Sequence, residues 1–352
     1  MSENAFTDPW LVGGPGRCGK TYLVETLWEQ KSRVAGFPLE GLFTVYARRW
    51  FLLTRRMREE LVEEYVTRPR YTDVDRKVPV QPTRYFKSSP DELRAALPDN
   101  RRHPVEIVGW ILDRFAKENE CSSWASFDLH PEFRYASFRR KISGVKLAMM
   151  VRDAREAISA ALYWRGDPGH GKSRDARFKH SLILFCLSVQ TGRILARRWP
   201  QDVHIFDFKA LVDGDETECG RVSQTFGFSL ESVRNAYNFE PHFKFIQDRD
   251  FLLPDGTIST LLSKTELGEI ALLTSSEKSY VAGKTRSRRG FLLLTRMVLL
   301  WGRYSPSGAR AIADIVYYPR RTMTRRMNTT RQLAADMLRC LRYRTPQRRH
   351  AP

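Results

Sequence analysis

The sequence has few cysteines, and their placement argues against two classes of protein. Five cysteines are scattered along 352 residues, an odd number without the paired spacing of a metal site. A disulfide framework and a structural metal module are therefore not expected, and the pattern favours a reducing compartment. These residues are Cys18, Cys121, Cys186, Cys219 and Cys340.

Long hydrophobic runs are also lacking. The most apolar stretch, FLLLTRMVLLWG from Phe291, is short and contains Arg296, so we expect no membrane-spanning helix. The N-terminus, MSENAFTDPWLVGG, has neither the basic nor the apolar region of a secretion signal, and we expect no cleaved leader. These features predict a cytoplasmic protein, and they leave peripheral contact with a membrane surface open.

Acidic residues are in the minority. The chain has 59 Lys and Arg against 40 Asp and Glu, a net charge of +19, while its 42% hydrophobic content is that of a folded globular protein. Such an excess predicts a polyanionic partner: nucleic acid, an anionic glycan, an anionic membrane surface or a phosphate-rich cofactor. No recognised nucleic-acid module is present, so nucleic acid is the least expected of these.

Short apolar runs alternate with amphipathic segments, which is typical of a parallel α/β sheet. WLVGG, VKLAMMV and VHIFD are predicted strands, GLFTVYARRWFLLTRRMREELVEEY is predicted to be mainly helical, and residues 68–104 are predicted to be a loop or insertion. We expect a P-loop three-layer α/β/α fold with a mostly parallel sheet of about five strands over residues 1–260. A basic, mainly helical C-terminal extension is expected over residues 261–352.

The first predicted strand runs into GPGRCGKT, a full match to the phosphate-binding pattern G-x-x-x-x-G-K-[ST]. A strand, a glycine-rich turn and a helix in this order direct several backbone N–H groups and the helix dipole at one anion. Gly14, Gly16 and Gly19 permit the tight backbone path, and Arg17, Lys20 and Thr21 add two charges and a hydroxyl group. We expect this loop to bind phosphate.

A second match to the same pattern, GDPGHGKS over residues 166–173, is interpreted differently. It follows a predicted helix instead of a strand, and the basic segment RDARFKH comes after it. The geometry that cradles phosphate is therefore missing, and we expect a mobile basic loop.

Two residues at strand ends distinguish the possible phosphate ligands. Asp207, which ends VHIFD, is the candidate magnesium ligand of a kinase or NTPase, although a helix-capping carboxylate is the commoner role. Arg152 follows VKLAMMV at the edge where open α/β sheets bind ligands, with Arg155 and Ser159 in the next helix. This cluster suits a second phosphate group, which an adenosine 3′-phosphate has and ATP lacks.

The two basic motifs resemble those of sulfotransferases that use 3′-phosphoadenosine-5′-phosphosulfate (PAPS). Residues 17–21, RCGKT, are similar to that family's R/K-S/C-G-T/S-T loop, with Lys20 in place of the usual Thr or Ser. Residues 151–157, VRDAREA, are similar to its V-R-D-P-R-(D/E)-A motif. The family's serine normally stands eight residues after the arginine, where this chain has Ala160 and places Ser159 one position earlier.

The resemblance implies a PAPS-binding site and an activity. The 5′-phosphosulfate would be held by Gly14, Gly16, Arg17, Cys18, Gly19, Lys20 and Thr21, and the 3′-phosphate by Arg152 and Ser159. RSRRGF, with Arg288, Arg289 and Gly290, resembles the family's C-terminal R-K-G phosphate clamp. The implied reaction moves a sulfuryl group from PAPS to a hydroxyl or amine, and 3′,5′-diphosphoadenosine leaves.

A base is needed to take the proton of the acceptor. His130 lies twenty-two residues before Arg152, the separation that the catalytic histidine of cytosolic sulfotransferases has, although a histidine beside a proline is more often a surface or capping residue. Asp128 and Glu132 are the fallback bases, and Asp128 is also placed to orient the imidazole.

Arg17 and Lys20 would stabilise the departing diphosphate, so no metal is expected.

Arginines on the predicted helix before residue 65 and at the C-terminus suggest a track for an anionic glycan acceptor, although charge runs are usually solvated surfaces. The track would use Arg48, Arg49, Arg55, Arg56 and Arg58, the ten arginines between Arg320 and Arg349, and the aromatic residues Trp50, Tyr65, Tyr317 and Tyr318. Two other functions stay open: a P-loop kinase or NTPase using magnesium-ATP, and a non-enzymatic polyanion-binding protein.

Overall fold

One all-parallel sheet of five strands organises the part of the chain that the structure describes. The structure is a computed structural model, and it describes residues 8–29, 33–47, 52–69, 80–164, 173–227, 262–274 and 286–317. The strand order is β2-β3-β1-β4-β5. The strands are β1 (Trp10–Gly13), β2 (Val34–Phe37), β3 (Ser123–Phe127), β4 (Lys146–Val151) and β5 (Val203–Asp207). The predicted α/β class and strand number are confirmed.

Helices connect the strands and cover both faces of the sheet. Among the described residues, two of them are 3₁₀ helices, Pro82–Tyr85 and Pro131–Arg134. The α-helices are α1 (Lys20–Glu29), α2 (Phe43–Tyr46), α3 (Arg55–Thr67), α4 (Pro90–Ala95), α5 (Pro104–Glu118), α6 (Tyr135–Phe138), α7 (Ala154–Trp164), α8 (Arg174–Arg198), α9 (Phe208–Val212), α10 (Glu216–Phe226), α11 (Lys264–Thr274), α12 (Arg286–Gly302) and α13 (Pro306–Tyr317).

The alternation of side chains along the strands creates two hydrophobic cores. Trp10 and Val12 of β1 point to the core that α1, α7, α8 and α10 cover, whereas Leu11 points to the core that α3 and α5 cover. Successive strand residues face opposite sides, so a central parallel strand must be apolar on both. The resulting arrangement is the expected three-layer α/β/α sandwich.

Strand order brings three chain segments to one edge of the sheet. β1 lies between β3 and β4, and Val12 is paired with both Phe127 and Ala148. Because all strands are parallel, their carboxyl ends meet at the same edge, where ligands bind in open α/β sheets. The glycine-rich loop, the residues after Phe127 and the residues after Val151 therefore lie side by side.

Two predicted segments differ from the observed structure. The helix expected before residue 65 is two helices, α2 and α3, because Leu42 adopts a left-handed conformation before α2 and Thr54 caps a new start at the Met57 N–H. The predicted loop over 68–104 contains the first 3₁₀ helix and α4, which a Ser89–Glu92 capping box starts. Both differences arise from helix-start signals within polar sequence.

The C-terminal helices share a core with the sheet. Ile270, Val298 and Ala309 are buried in the same cluster as Leu187 of α8 and Met150 of β4. The division of the chain at residue 260 stays a prediction. No helix in the described ranges is long and apolar enough to cross a membrane.

Replacing Gly36 by alanine should destabilise the fold, because α1 crosses β2 at this glycine. A Cβ there would stand 1.9 Å from the carbonyl oxygen of Val24. We expect Gly36→Ala to lower the free energy of unfolding by about 1–3 kcal/mol in urea denaturation. Gly220→Ala in α10 is the matched control, since nothing lies within 4 Å of its Cβ position. It should raise that free energy by about 0.5–1 kcal/mol, and equal effects of the two changes would contradict the packing argument.

Candidate active site

The glycine-rich loop passes close over the end of β4, and two glycines make this path possible. Gly14 has φ +114° and Gly19 has φ +79°, conformations that side chains rarely adopt. A Cβ on Gly14 would lie 2.2 Å from the carbonyl oxygen of Met150, two residues before Arg152. Arg17 is also left-handed, with φ +68°. The loop is thus tightly bent against the strand that carries the second basic motif.

Lys20 closes the loop at the start of α1. Its Nζ donates to the carbonyl oxygens of Gly14 and Asp128, at 3.2 Å each, so the ammonium group lies between the loop and the segment after β3. Above the loop there is room, since no atom lies within 4 Å of a Cβ placed on Gly16. Positive charge and open space at a helix N-terminus suit an anion.

Cys18 is an interior residue of the loop. Its side chain is buried, and burial raises the pKa of the thiol to about 12, although Lys20 and Arg152 oppose the shift. The thiol is therefore protonated at neutral pH and unsuited to nucleophilic chemistry. Its role in the loop is packing.

Arg152 lies on the same side of the sheet edge as the loop. Its guanidinium carbon stands 5.4 Å from the centre of the Phe208 ring, and that ring fills the space that a side chain on Gly19 would need. The Arg152 side chain is 12% exposed and forms an ion pair with Glu156 one turn along α7. Phe208 thus links the two basic motifs that the sequence placed 130 residues apart.

Ser159 is the next polar group along this face of α7. It lies three residues after Glu156, the spacing that puts two side chains on one helix face. It is 2% exposed, and its Oγ has no hydrogen-bond partner within the part of the chain that the structure describes. A buried hydroxyl group without a partner is costly, so Ser159 fits a site that a polar ligand completes.

His130 and Glu132 form a buried pair beside the loop. His130 Nδ1 is 2.9 Å from Glu132 Oε1, which also accepts the Ser188 hydroxyl at 2.5 Å. The other carboxylate oxygen, Oε2, accepts the Gly14 N–H at 3.3 Å. His130 adopts φ +58° at the start of the second 3₁₀ helix, and its ring stacks on Phe133. One carboxylate therefore joins the glycine-rich loop, α8 and the imidazole.

The charges of this pair leave the His130 ring neutral at neutral pH. Burial lowers the pKa of His130 to about 4, against the opposing effect of Glu132. Burial alone would raise the pKa of Glu132, but His130, Lys20 and the Ser188 hydroxyl lower it to about 2. At neutral pH the ionised carboxylate only accepts hydrogen bonds, so Nδ1 of the neutral ring carries the proton. The lone pair of Nε2 is then available to take a proton.

The expectation that Asp128 orients the imidazole is wrong. The Asp128 carboxylate accepts the backbone N–H and hydroxyl groups of Thr44, each at 2.7 Å, and the N–H of Leu129 at 2.6 Å. It is fully buried and anchors α2 to the segment after β3. Glu132 is the carboxylate in contact with His130. A carboxylate of such low pKa is a weak base, so Glu132 is better suited to positioning.

Two residues of the site were missed by the sequence analysis. Ser188 lies within the apolar run LILFCLSVQT of α8 and is fully buried. A serine inside such a run was a sequence signal for a buried polar partner. Arg310 of α13 stands 5.8 Å from the centre of the Phe133 ring, and its Nη1 approaches the carbonyl oxygen of Leu129 at 3.5 Å. No local pattern marks Arg310, because its position depends on how α13 packs.

The remaining candidate phosphate contacts have different outcomes. Asp207 caps α9 through the N–H groups of Lys209 and Ala210, the commoner of its two predicted roles. Arg288, Arg289 and Gly290 lie in the first turns of α12, but the structure does not describe their side chains. Residues 166–172 of the second pattern match are also outside the described residues. Within the described ranges, no group of three His, Cys, Asp or Glu residues is placed to hold a metal ion.

Only part of the proposed basic track falls within the described residues, namely Arg55, Arg56, Arg58 and Tyr65. Arg58 is buried, donates to the carbonyl oxygens of Pro98 and Arg101, and pairs with Asp99, so its inclusion was wrong. Arg55 and Arg56 are exposed but pair with Glu59 and Glu60 on α3. Tyr65 is fully buried and cannot stack on a sugar. Arg48, Arg49, Trp50, Tyr318 and the arginines after Arg320 lie outside the described residues, as does the side chain of Tyr317.

Comparison with known proteins finds similarity in structure alone. No protein-family model and no curated protein matches the sequence. The sulfotransferase domain of the Synechococcus PCC 7002 olefin synthase matches with a TM-score of 0.43 and 11% identity, over 77% of this chain and 96% of that domain. The sulfotransferase domain from the curacin biosynthetic pathway matches with a TM-score of 0.45 and 13% identity, over 75% of this chain and 96% of that one.

A third solved structure belongs to the same class. Sulfotransferase STF9 from Mycobacterium avium matches with a TM-score of 0.41 and 10% identity, over 77% of this chain and 78% of its own. At TM-scores below 0.5 and identities of 10–13%, these similarities carry no argument about the residues or the activity of this chain.

Nuclear magnetic resonance of the histidine rings tests the His130–Glu132 pair. We expect the His130 imidazole to be neutral at pH 7, to carry its proton on Nδ1, and to titrate near pH 4 instead of 6.5. Glu132→Gln should lower the His130 pKa further, because it removes the charge that favours the imidazolium form. The His130 signal is assigned as the one that disappears in the variant His130→Asn.

Glu218→Gln is the control for this experiment. Glu218 is also buried and accepts hydrogen bonds from Asp207 N–H and Arg221, but it lies away from His130. This change should leave the His130 titration as in the wild type. A His130 pKa near 6.5 in the wild type, or the same shift in both variants, would contradict the pairing.

Proposed function

We propose that this protein is a sulfotransferase that moves a sulfuryl group from PAPS to a hydroxyl or amine of an acceptor. The observation that carries the proposal is the presence of two separate basic positions on one sheet edge. The loop ending in Lys20 is one, and Arg152 with the unpartnered hydroxyl group of Ser159 is the other. A donor with phosphate groups at both its 5′ and 3′ positions matches two such positions, whereas ATP matches one.

The residues of the loop fit the 5′ side of this donor. The amide groups at the start of α1 and the Lys20 ammonium would bind the 5′-phosphosulfate and neutralise charge on the departing phosphate oxygen. Arg17 would add a second positive charge. Arg152 would exchange its partner Glu156 for the 3′-phosphate, because a phosphate group bears more charge than a carboxylate and accepts two guanidinium hydrogen bonds.

His130 would act on the acceptor. Its Nε2 accepts the proton of the acceptor hydroxyl or amine while the new bond to sulfur forms on the face opposite the breaking sulfur–oxygen bond. The electron pair of the broken bond stays on the 5′-phosphate, which leaves as 3′,5′-diphosphoadenosine. The imidazolium that results is stabilised by the Glu132 carboxylate, whose position is set by Ser188 and the Gly14 N–H.

Calorimetric titration tests the donor. We expect metal-free binding of 3′,5′-diphosphoadenosine, weakened about 10- to 100-fold by Arg152→Ala through the loss of charged hydrogen bonds. Arg155→Ala is the matched control: the sequence placed Arg155 near the second phosphate, but in the structure it lies in the first turn of α7, is 56% exposed and pairs with Asp153. A preference for magnesium-ATP would favour a kinase, and binding of neither ligand would favour a polyanion-binding protein.

Release of 3′,5′-diphosphoadenosine from PAPS tests the base. In the presence of a panel of hydroxyl and amine acceptors, His130→Asn should slow the release about 10²- to 10⁴-fold, because a general base contributes this much. The same variant should bind 3′,5′-diphosphoadenosine as the wild type does. An unchanged rate would mean that His130 is a buried structural histidine and that another group takes the proton.

A further inference from the structure

Helix α12 has a fixed inner face. Thr295, Val298 and Gly302 are buried, and a Cβ on Gly302 would stand 2.3 Å from a methyl group of Leu187 on α8. The side-chain amide of Gln190 on α8 donates to the carbonyl oxygen of Leu299 at 2.7 Å. This close approach sets the rotation of α12 about its own axis and so determines which residues point outward.

The outer face of α12 is apolar. Leu293, Met297, Leu300 and Trp301 are each more than half exposed, with Met297 at 60% and Trp301 at 56%. Their spacing of four, three and one residues places them within about 100° of helix rotation, a single stripe. Tyr304, in the turn after the helix, is 91% exposed. A contiguous exposed stripe of this kind marks a binding surface more often than chance exposure does.

Arginines border the stripe. At about 100° per residue, Arg296 falls on one flank of it, and Arg303 is the first residue after the helix; both are exposed. Beyond α13 the sequence continues with ten arginines between Arg320 and Arg349 and one acidic residue, Asp336. An apolar stripe with aromatic residues and flanking arginines has the composition of helices that lie in the headgroup region of anionic membranes.

Charge also discriminates between possible occupants of the stripe. The chain carries a net charge of +19, and a second copy would bring equal positive charge against Arg296 and Arg303. An anionic lipid surface relieves this repulsion and accepts the apolar side chains at the same time. We propose that the outer stripe of α12 docks this protein on an anionic membrane surface, with the helix axis lying in the plane of the membrane.

Vesicle flotation with the full-length protein tests this proposal. We expect binding to vesicles of phosphatidylcholine with about 30% phosphatidylserine and much weaker binding to phosphatidylcholine alone. The double variant Met297→Ser/Trp301→Ser should reduce the partition coefficient at least about tenfold, because it removes apolar burial at constant charge. Leu267→Ser on α11 is the matched control, an exposed apolar side chain away from the stripe that should bind as the wild type does.

Two further variants test how much the arginines beside the stripe contribute to binding. Arg296→Gln/Arg303→Gln should weaken binding to the anionic vesicles by about fivefold per arginine, whereas Arg197→Gln at the far end of α8 should not. Equal binding of the wild type and Met297→Ser/Trp301→Ser would overturn the proposal by assigning binding to arginines alone. Lack of vesicle binding would also overturn it. If the wild type then forms a concentration-dependent dimer that the serine variant does not form, the stripe binds a second copy of this chain. If the serine variant instead has a lower melting temperature, the stripe is covered by another part of this chain.

Discussion

The Glu132 carboxylate is the contact on which the candidate site depends. It accepts hydrogen bonds from the Gly14 N–H, the Ser188 hydroxyl and His130 Nδ1, and so joins the first strand–helix connection, the long helix α8 and the segment after β3. A buried carboxylate needs several donors to stay ionised, and each donor here comes from a different part of the fold. The position of the loop and the protonation of the imidazole are therefore coupled through one side chain.

Close packing links the first basic motif to the second. Gly14 lets the loop approach the carbonyl oxygen of Met150, and Gly19 leaves room for the ring of Phe208, over which Arg152 lies. A side chain at Gly14 would force the loop away from β4, and one at Gly19 would displace the Phe208 ring over which Arg152 lies. The glycines thus serve the spacing of the site as well as the turn itself. Arg152 lies near the loop because the loop can come this close.

The pattern-based predictions succeeded where the signal is local. The glycine-rich loop, β4 and β5 follow from short stretches whose residue types require one conformation, and the structure has them in place. β2 and β3 were not located, because VAGF and SWASF are short and contain glycine or serine where a strand pattern expects branched or aromatic residues. Arg58 was assigned to the surface because its neighbours are charged, yet its guanidinium group meets the carbonyl oxygens of a loop forty residues away.

By itself, the sequence determined the order of elements, the glycine-rich loop after β1 and an arginine at the end of β4, since each depends on residues adjacent in the chain. The tertiary structure decided which acid pairs with His130. Asp128 and Glu132 are equally near in sequence, but the first is held by Thr44 and the second by Ser188 and Gly14. Those partners lie 56 to 118 residues from the acids that they hold, and their contact follows from strand order and helix packing. Such long-range contacts leave no periodic trace, because the chain segments that make them are brought together only when both faces of the sheet are covered.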